Sequence, residues 1–180
     1  MKKLSYQEIT ALRLSKEEMK QTERFPIYTL LDNIRSLHNV GSIFRTADGV
    51  RLQELFLTGI TGYPPRPEIE KTALGATETV PWTFHEDPVA VLQDLKKKNV
   101  RIVVLEHTSH SIPFNKLSPE YPVCLVVGNE VFGVQDKIVE MADVAVDIPM
   151  YGTKQSLNVT IAYGVVIYDI LFKYLRLSDR

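Results

Sequence analysis

The chain has 180 residues, 44% of them apolar, and its 21 Lys and Arg set against 22 Asp and Glu leave a net charge of −1. That length and apolar content suit one well-buried domain and are short for two full ones. The balanced charge, with an isoelectric point near 6.4, excludes a protein held to nucleic acid by net charge alone, and leaves room only for a local basic face. Charge is uneven along the chain: Lys96, Lys97, Lys98 and Arg101 cluster, while Glu130, Asp136, Glu140, Asp143 and Asp147 face Lys137 alone between residues 128 and 147. The single cysteine, Cys124 in PVCLVVG, excludes an intrachain disulfide and a cysteine metal site, and reads as a small buried hydrophobe. With no signal-like segment and no apolar stretch of about 18 residues, a soluble cytoplasmic protein is expected, without a membrane partner.

Residues 1–24 are polar and charged, and SKEEMK has the spacing of a capped helix start, so this stretch is expected to be a helical N-terminal extension to a domain spanning 25–180. IYTLLD (27–32) reads as a strand. HNVGSIFRTADGVR (38–51) reads as a helix placing Val40, Ile43, Phe44 and Ala47 on one face. A strand at 54–58 precedes a long irregular region from Gly59 to Thr79, rich in Pro and Gly around a short helical piece. VPWTF (80–84) is predicted as a strand, PVAVLQDLKKKN (88–99) as a helix and RIVVLEH (101–107) as a buried strand. A second loop runs to about 121, followed by strand VCLVVG (123–128), a helix near 134–142, strand VAVDIPM (144–150) and a long apolar helix from about 156 to 175. Strands alternating with helices imply an α/β fold, a mostly parallel sheet with helices on both faces. In the last helix Ile161, Val165, Tyr168, Leu171, Phe172 and Leu175 follow helical spacing while apolar residues extend well around it, so burial against a second subunit as well as the sheet is expected.

Three distant segments share small and amide-bearing residues at the edges of apolar runs: NIRSLHNVGSIFRTADG (33–49), LVVGNEVFG (125–133) and IPMYGTKQSLNV (148–159). Each brings Gly, Asn or Ser to a strand end or helix start, where free backbone groups can hold a polar ligand. Other chemistries do not fit. GNEVFG lacks the GxGxxG spacing of a dinucleotide fingerprint, no Walker loop or GxSxG elbow is present, and His107 and His110 have no partner at a metal-ligand spacing. The candidates left are Asn39, Arg45, Glu130, Ser156 and Asn158. Each also has a plain structural role open to it: Asn39 and Ser156 as helix caps, Glu130 as an acid beside a helix N-terminus, Arg45 in a surface ion pair.

In order and content the three segments resemble the signature motifs of the SpoU/TrmH family of RNA ribose 2′-O-methyltransferases, within the SPOUT superfamily, over roughly residues 26 to 175. By that resemblance Asn39 and Arg45 serve the substrate side, Gly128 and Glu130 match the second motif, and Ser156, Leu157 and Asn158 the third. The resemblance further implies S-adenosylmethionine as cofactor, held by backbone around Leu105, Gly128, Ile148, Met150 and Leu157, with no metal. It implies a C-terminal deep trefoil knot, a homodimer paired through the last helix, and tRNA or rRNA as partner, with a guanosine modified. Arg45 is expected to act on the ribose hydroxyl, as proton acceptor or as stabiliser of its developing charge; an ordinary guanidinium, with a pKa above about 12, resists the first role. A folding or binding factor of the same fold without turnover, and a nucleotide-binding regulator of flavodoxin-like architecture, are the competing readings.

Overall fold

The computed structural model describes residues 1–178. Seven strands form one sheet in the order β3-β2-β1-β6-β4-β7-β5, and every neighbouring pair runs parallel. They are β1 (Ile27–Asp32), β2 (Glu54–Thr58), β3 (Trp82–His85), β4 (Arg101–Leu105), β5 (Ile112–Pro113), β6 (Val123–Val127) and β7 (Val144–Asp147). The helices are α1 (Tyr6–Ala11), α2 (Lys16–Gln21), α3 (Leu37–Gly49), α4 (Pro67–Ala73), α5 (Pro88–Lys97), α6 (Asp136–Met141) and α7 (Val159–Ser178).

The central strands are apolar on both faces, as a sheet covered on both sides requires. Val123, Leu125 and Val127 of β6 enter the core formed with α3, α4 and α7, while Cys124 and Val126 enter the opposite core formed with α5 and α6. Cys124 is fully buried, and burial pushes its thiol pKa well up. One polar contact crosses the first core: the Tyr163 hydroxyl of α7 lies 3.1 Å from Thr29 Oγ1 of β1.

The N-terminal helices form as their sequence suggests. Ser5 and Ser15 each cap a helix, with Glu8 and Glu18 returning the bond to complete capping boxes. Neither helix buries a residue.

Several boundaries shift by a residue or two from the sequence reading, and four differences affect the architecture. The strand expected at 80–84 lies at Trp82–His85, because the Val80 N–H bonds back to the Ala76 carbonyl in the turn that precedes it. The loop after β4 contains the two-residue strand β5, too short to leave a periodic signal. The segment 144–150 pairs only as far as Asp147. The last helix starts at Val159 rather than near 156: Asn158 Oδ1 accepts from the Thr160 backbone N–H at 2.9 Å, so Asn158, not Ser156, caps it.

Candidate active site

The chain leaves β1 toward β2 on one side of the sheet and leaves β6 toward β7 on the other, although β1 and β6 are neighbours. Ligands in open α/β sheets bind at such a divergence, beyond the carboxyl ends of the strands. Here the loops after the two strands are tied together. Asp32, fully buried at the end of β1, accepts from the Gln135 backbone N–H at 2.8 Å and its side-chain amide at 2.6 Å. Asn129 donates to the Asn33 carbonyl at 2.7 Å and accepts from the N–H groups of Val131 at 2.9 Å and Phe132 at 3.1 Å. From the far side, Glu106 accepts from the Val134 N–H at 2.9 Å. The 128–134 loop is therefore fixed at both flanks and at its centre.

Two glycines make that closure possible. A side chain at Gly128 would collide with the backbone of Gly133 and Val134, and Gly133 adopts φ +69° against Glu106. At Gly128 the constraint comes from the loop folding back on itself.

A cavity of about 470 Å³ opens beyond β4, β6 and β7. Leu105, Gly128, Ile148, Met150 and Leu157, the residues expected around a cofactor, all line it, as do Glu130, Ser156 and Asn158. Its volume lies in the range of small-molecule sites, and its apolar residues stand beside polar ones from the loops after the strands. Glu106, His107 and Asp147 add polar groups at its edge. Such a lining fits an adenosine-bearing cofactor that carries one positive charge. Among the described residues no group of three His, Cys, Asp or Glu is placed to hold a metal ion.

A smaller cavity of about 310 Å³ adjoins the first and is lined by Arg35, Ser36, Asn39 and Glu130. Glu130 lines both. Its carboxylate accepts from the backbone N–H groups of Arg35 at 2.9 Å and Ser36 at 3.0 Å, and from the Asn39 amide at 2.8 Å. Partial burial works to raise its pKa, but these hydrogen bonds outweigh it, and the carboxyl titrates below its ordinary range. On the other side of Asn39, the Asn158 amide donates to Asn39 Oδ1 at 3.4 Å. One hydrogen-bonded chain, Asn158 to Asn39 to Glu130, thus joins all three sequence segments. Asn39 is not the cap of α3; Ser36 is, through its bond to the Asn39 N–H.

Arg45 stands apart. It is exposed on the ridge of α3 with His38 and Ser42 beside it, lines neither cavity, and has no hydrogen-bonded or ionic partner among the described residues. Six residues separate it from Asn39, which is about 9 Å along a helix axis. Ser156 is exposed at the rim of the larger cavity. Sequence reasoning missed Asp32, Glu106 and Asn129, whose side chains cap loop backbone, as well as Arg35. An acid or amide placed directly after a buried strand was the available signal.

An open parallel α/β sheet whose strand-end loops build a donor-sized cavity beside a smaller polar one defines a group-transfer enzyme, and comparison with known proteins gives its kind. Residues 26–168 match the model of the SpoU rRNA Methylase family, and the chain belongs to that family. It is an S-adenosylmethionine-dependent methyltransferase. A tRNA (guanosine(18)-2′-O)-methyltransferase of Aquifex aeolicus is 34% identical over 156 residues, 84% of this chain and 72% of that one. The crystal structure of an A. aeolicus TrmH/SpoU tRNA modifying enzyme superposes with a TM-score of 0.81 at 30% identity, covering 91% of this chain and 85% of that one. An AdoMet-bound rRNA methyltransferase from Sinorhizobium meliloti superposes with a TM-score of 0.74 at 25% identity, covering 87% and 60%. Across the curated relatives the chain spans from 57% to 84% of their length.

Proposed function

We propose that this chain methylates the ribose 2′-hydroxyl of a guanosine in tRNA or rRNA, as a cytoplasmic homodimer. The observation that carries this reading is the chain Asn158–Asn39–Glu130, which couples a donor-sized cavity to a small polar one suited to an acceptor nucleotide. The relatives named above are a methyltransferase of guanosine in tRNA and an rRNA methyltransferase, in keeping with this acceptor.

When bound, the cofactor supplies a methyl group already activated on a sulfonium. The protein's task is then to place a weak nucleophile in line and stabilise the charge that grows on it. Leu105, Ile148, Met150 and Leu157 form apolar walls, and the strand-end backbone around Gly128 holds polar edges. Asn39, Asn158 and the free Ser156 hydroxyl orient the ribose. Glu130 is a positioning residue: with a lowered pKa and its oxygens already engaged, it is a poor proton acceptor near neutrality. Arg45 meets the RNA along the exposed ridge of α3, where its forked guanidinium can orient a phosphate and hydroxyl together and stabilise negative charge.

Three further features bear on the same reading. On α7, Ile161 (56% exposed), Val165 (38%), Tyr168 (38%) and Phe172 (56%) form one stripe left open by the sheet, which a second copy would cover. Strand β7 enters the sheet between β4 and β5, both earlier in the chain, an order compatible with the C-terminal knot that the family resemblance implies. Residues 1–24, whose two helices bury no residue and which meet the rest of the chain through the Lys16–Glu78 ion pair and the Arg24 guanidinium, form an extension available for choosing the RNA.

Incubating the purified protein with methyl-labelled cofactor and RNA from cells lacking it, then mapping ribose methylation, tests the reading. Label on a guanosine 2′-oxygen is expected. Label on a base, or none while S-adenosylhomocysteine still binds, would overturn it.

A further inference from the structure

Phe132 is 85% exposed, on a loop that has little freedom to move it. The Asn129 and Gly133 backbones exchange two hydrogen bonds of 3.0 and 2.9 Å across the loop neck, and the Asn129 side chain holds the N–H groups of Val131 and Phe132 from inside. Gly133, at positive φ, completes the turn. A flexible tip could fold a phenyl ring back onto the protein; this one keeps it in water, where a large apolar ring is unfavourable unless something covers it. Tyr151, 97% exposed after Met150, is a different case, since no hydrogen bond among the described residues holds its loop.

The position of Phe132 indicates what covers it. Glu130, two residues earlier, lines both cavities, and Val131 lines the larger one. The exposed Arg35 lines the smaller cavity beside Glu130, and its guanidinium has no hydrogen-bonded or ionic partner among the described residues, which leaves this rim a cation suited to a phosphate backbone. A flat apolar ring on the same rim as a free guanidinium is the pairing that single-stranded nucleic acid meets: charge for the backbone, a π face for a base. We propose that Phe132 is a stacking platform for an unpaired base of the RNA at or beside the acceptor nucleotide, and so a residue that sets which RNA segments are accepted. This rests on the RNA-methyltransferase reading above.

The test uses the full-length protein saturated with S-adenosylhomocysteine and a 20-nucleotide single-stranded RNA of mixed sequence. Phe132→Ala is expected to weaken RNA binding about tenfold, as for the loss of one base stack, while cofactor affinity and the salt dependence of RNA binding stay as in the parent. Phe132→Tyr is expected to restore binding. In Phe132→Trp, the added indole emission is expected to be quenched by the RNA but not by inorganic polyphosphate, which offers charge without bases. Unchanged RNA affinity in Phe132→Ala overturns the proposal. So does equal quenching by polyphosphate, or quenching that follows protein concentration without RNA, which would assign Phe132 to contact between copies. If Phe132→Ala does not fold, judged by lost cofactor binding, the Phe132→Trp quenching decides alone. Should the parent protein bind and methylate no RNA at all, the methyltransferase reading falls instead.

Discussion

The Asn39 side-chain amide donates to Glu130 at 2.8 Å across 91 positions of sequence, and the same carboxylate receives the backbone N–H groups at the start of the loop leading into α3. The second sequence segment thereby fixes the first. Neither residue can be understood alone, since removing the carboxylate releases the amide and two backbone donors together.

The pH dependence of stability should show this linkage. Because the folded-state pKa of Glu130 is lowered from about 4.5, its contribution is fully present above that value and is lost as pH falls through the lower, folded-state value. The Glu130 side chain is largely exposed, so solvent screening limits the effect to roughly 1 kcal/mol or less. In denaturant titrations Glu130→Gln is expected to be less stable than the parent at pH 7, with the gap closing below about pH 4. A gap that stays constant across this range would show that the charge of Glu130 does not contribute.

Arg45→Ala should separate chemistry from cofactor binding. Arg45 lines neither cavity, so S-adenosylhomocysteine affinity should hold while kcat falls by a factor of about a hundred or more. Arg45→Lys should recover only part of the loss, because a compact ammonium lacks the planar fork. Single-turnover methylation with calorimetry in parallel reads both quantities. Near-normal turnover in the alanine variant would remove Arg45 from the mechanism, and equal loss of both properties would place it in the cofactor site.

At Gly128 even a methyl group has no space, since it would meet the backbone of Gly133 and Val134. Gly128→Ala should open the loop, at a cost of about 1–3 kcal/mol in stability, and weaken S-adenosylhomocysteine binding by tenfold or more. Isothermal titration and thermal melting of the variant check this, and parent-like values for both would contradict the tight closure described.

Charging the open stripe of α7 should interfere with self-association. Ile161→Glu and Phe172→Glu replace side chains that are each 56% exposed, so the isolated fold should tolerate them. Light scattering is expected to show monomers for the double variant and dimers for the parent. A dimeric double variant would move the interface elsewhere.

Much of this architecture could be read from sequence because strand and helix periodicities survive in the chain. The short apolar runs in IYTLLD and VCLVVG, and the capping boxes at Ser5 and Ser15, declare themselves locally. The motif residues Asn39, Glu130 and Asn158 were visible through a shared composition, and the structure brings them within hydrogen-bonding distance. The residues that hold the loops were harder to find. Asp32 reaches Gln135, and Glu106 reaches Val134, through side chain to backbone bonds that span 103 and 28 positions and obey no period. The two-residue β5 exists only because β7 lies beside it, so its pairing is a tertiary fact with no local signature. The start of α7 was misplaced by about three residues because Ser156 and Asn158 are both good caps, and only the geometry of the Thr160 N–H chooses between them.

The larger cavity draws its lining from residues 105–107, 127–133 and 147–162, and β7 must lie between two earlier strands before the last of these segments is in place. A chain in which β7 has not yet docked has no complete receptor for the methyl donor. Ligand that binds only the finished arrangement stabilises it by mass action, by about 2.7 kcal/mol at a hundredfold excess over Kd. Cofactor is therefore expected to act as a folding clamp as well, with protease resistance of the C-terminal third rising with cofactor concentration even when no RNA is present.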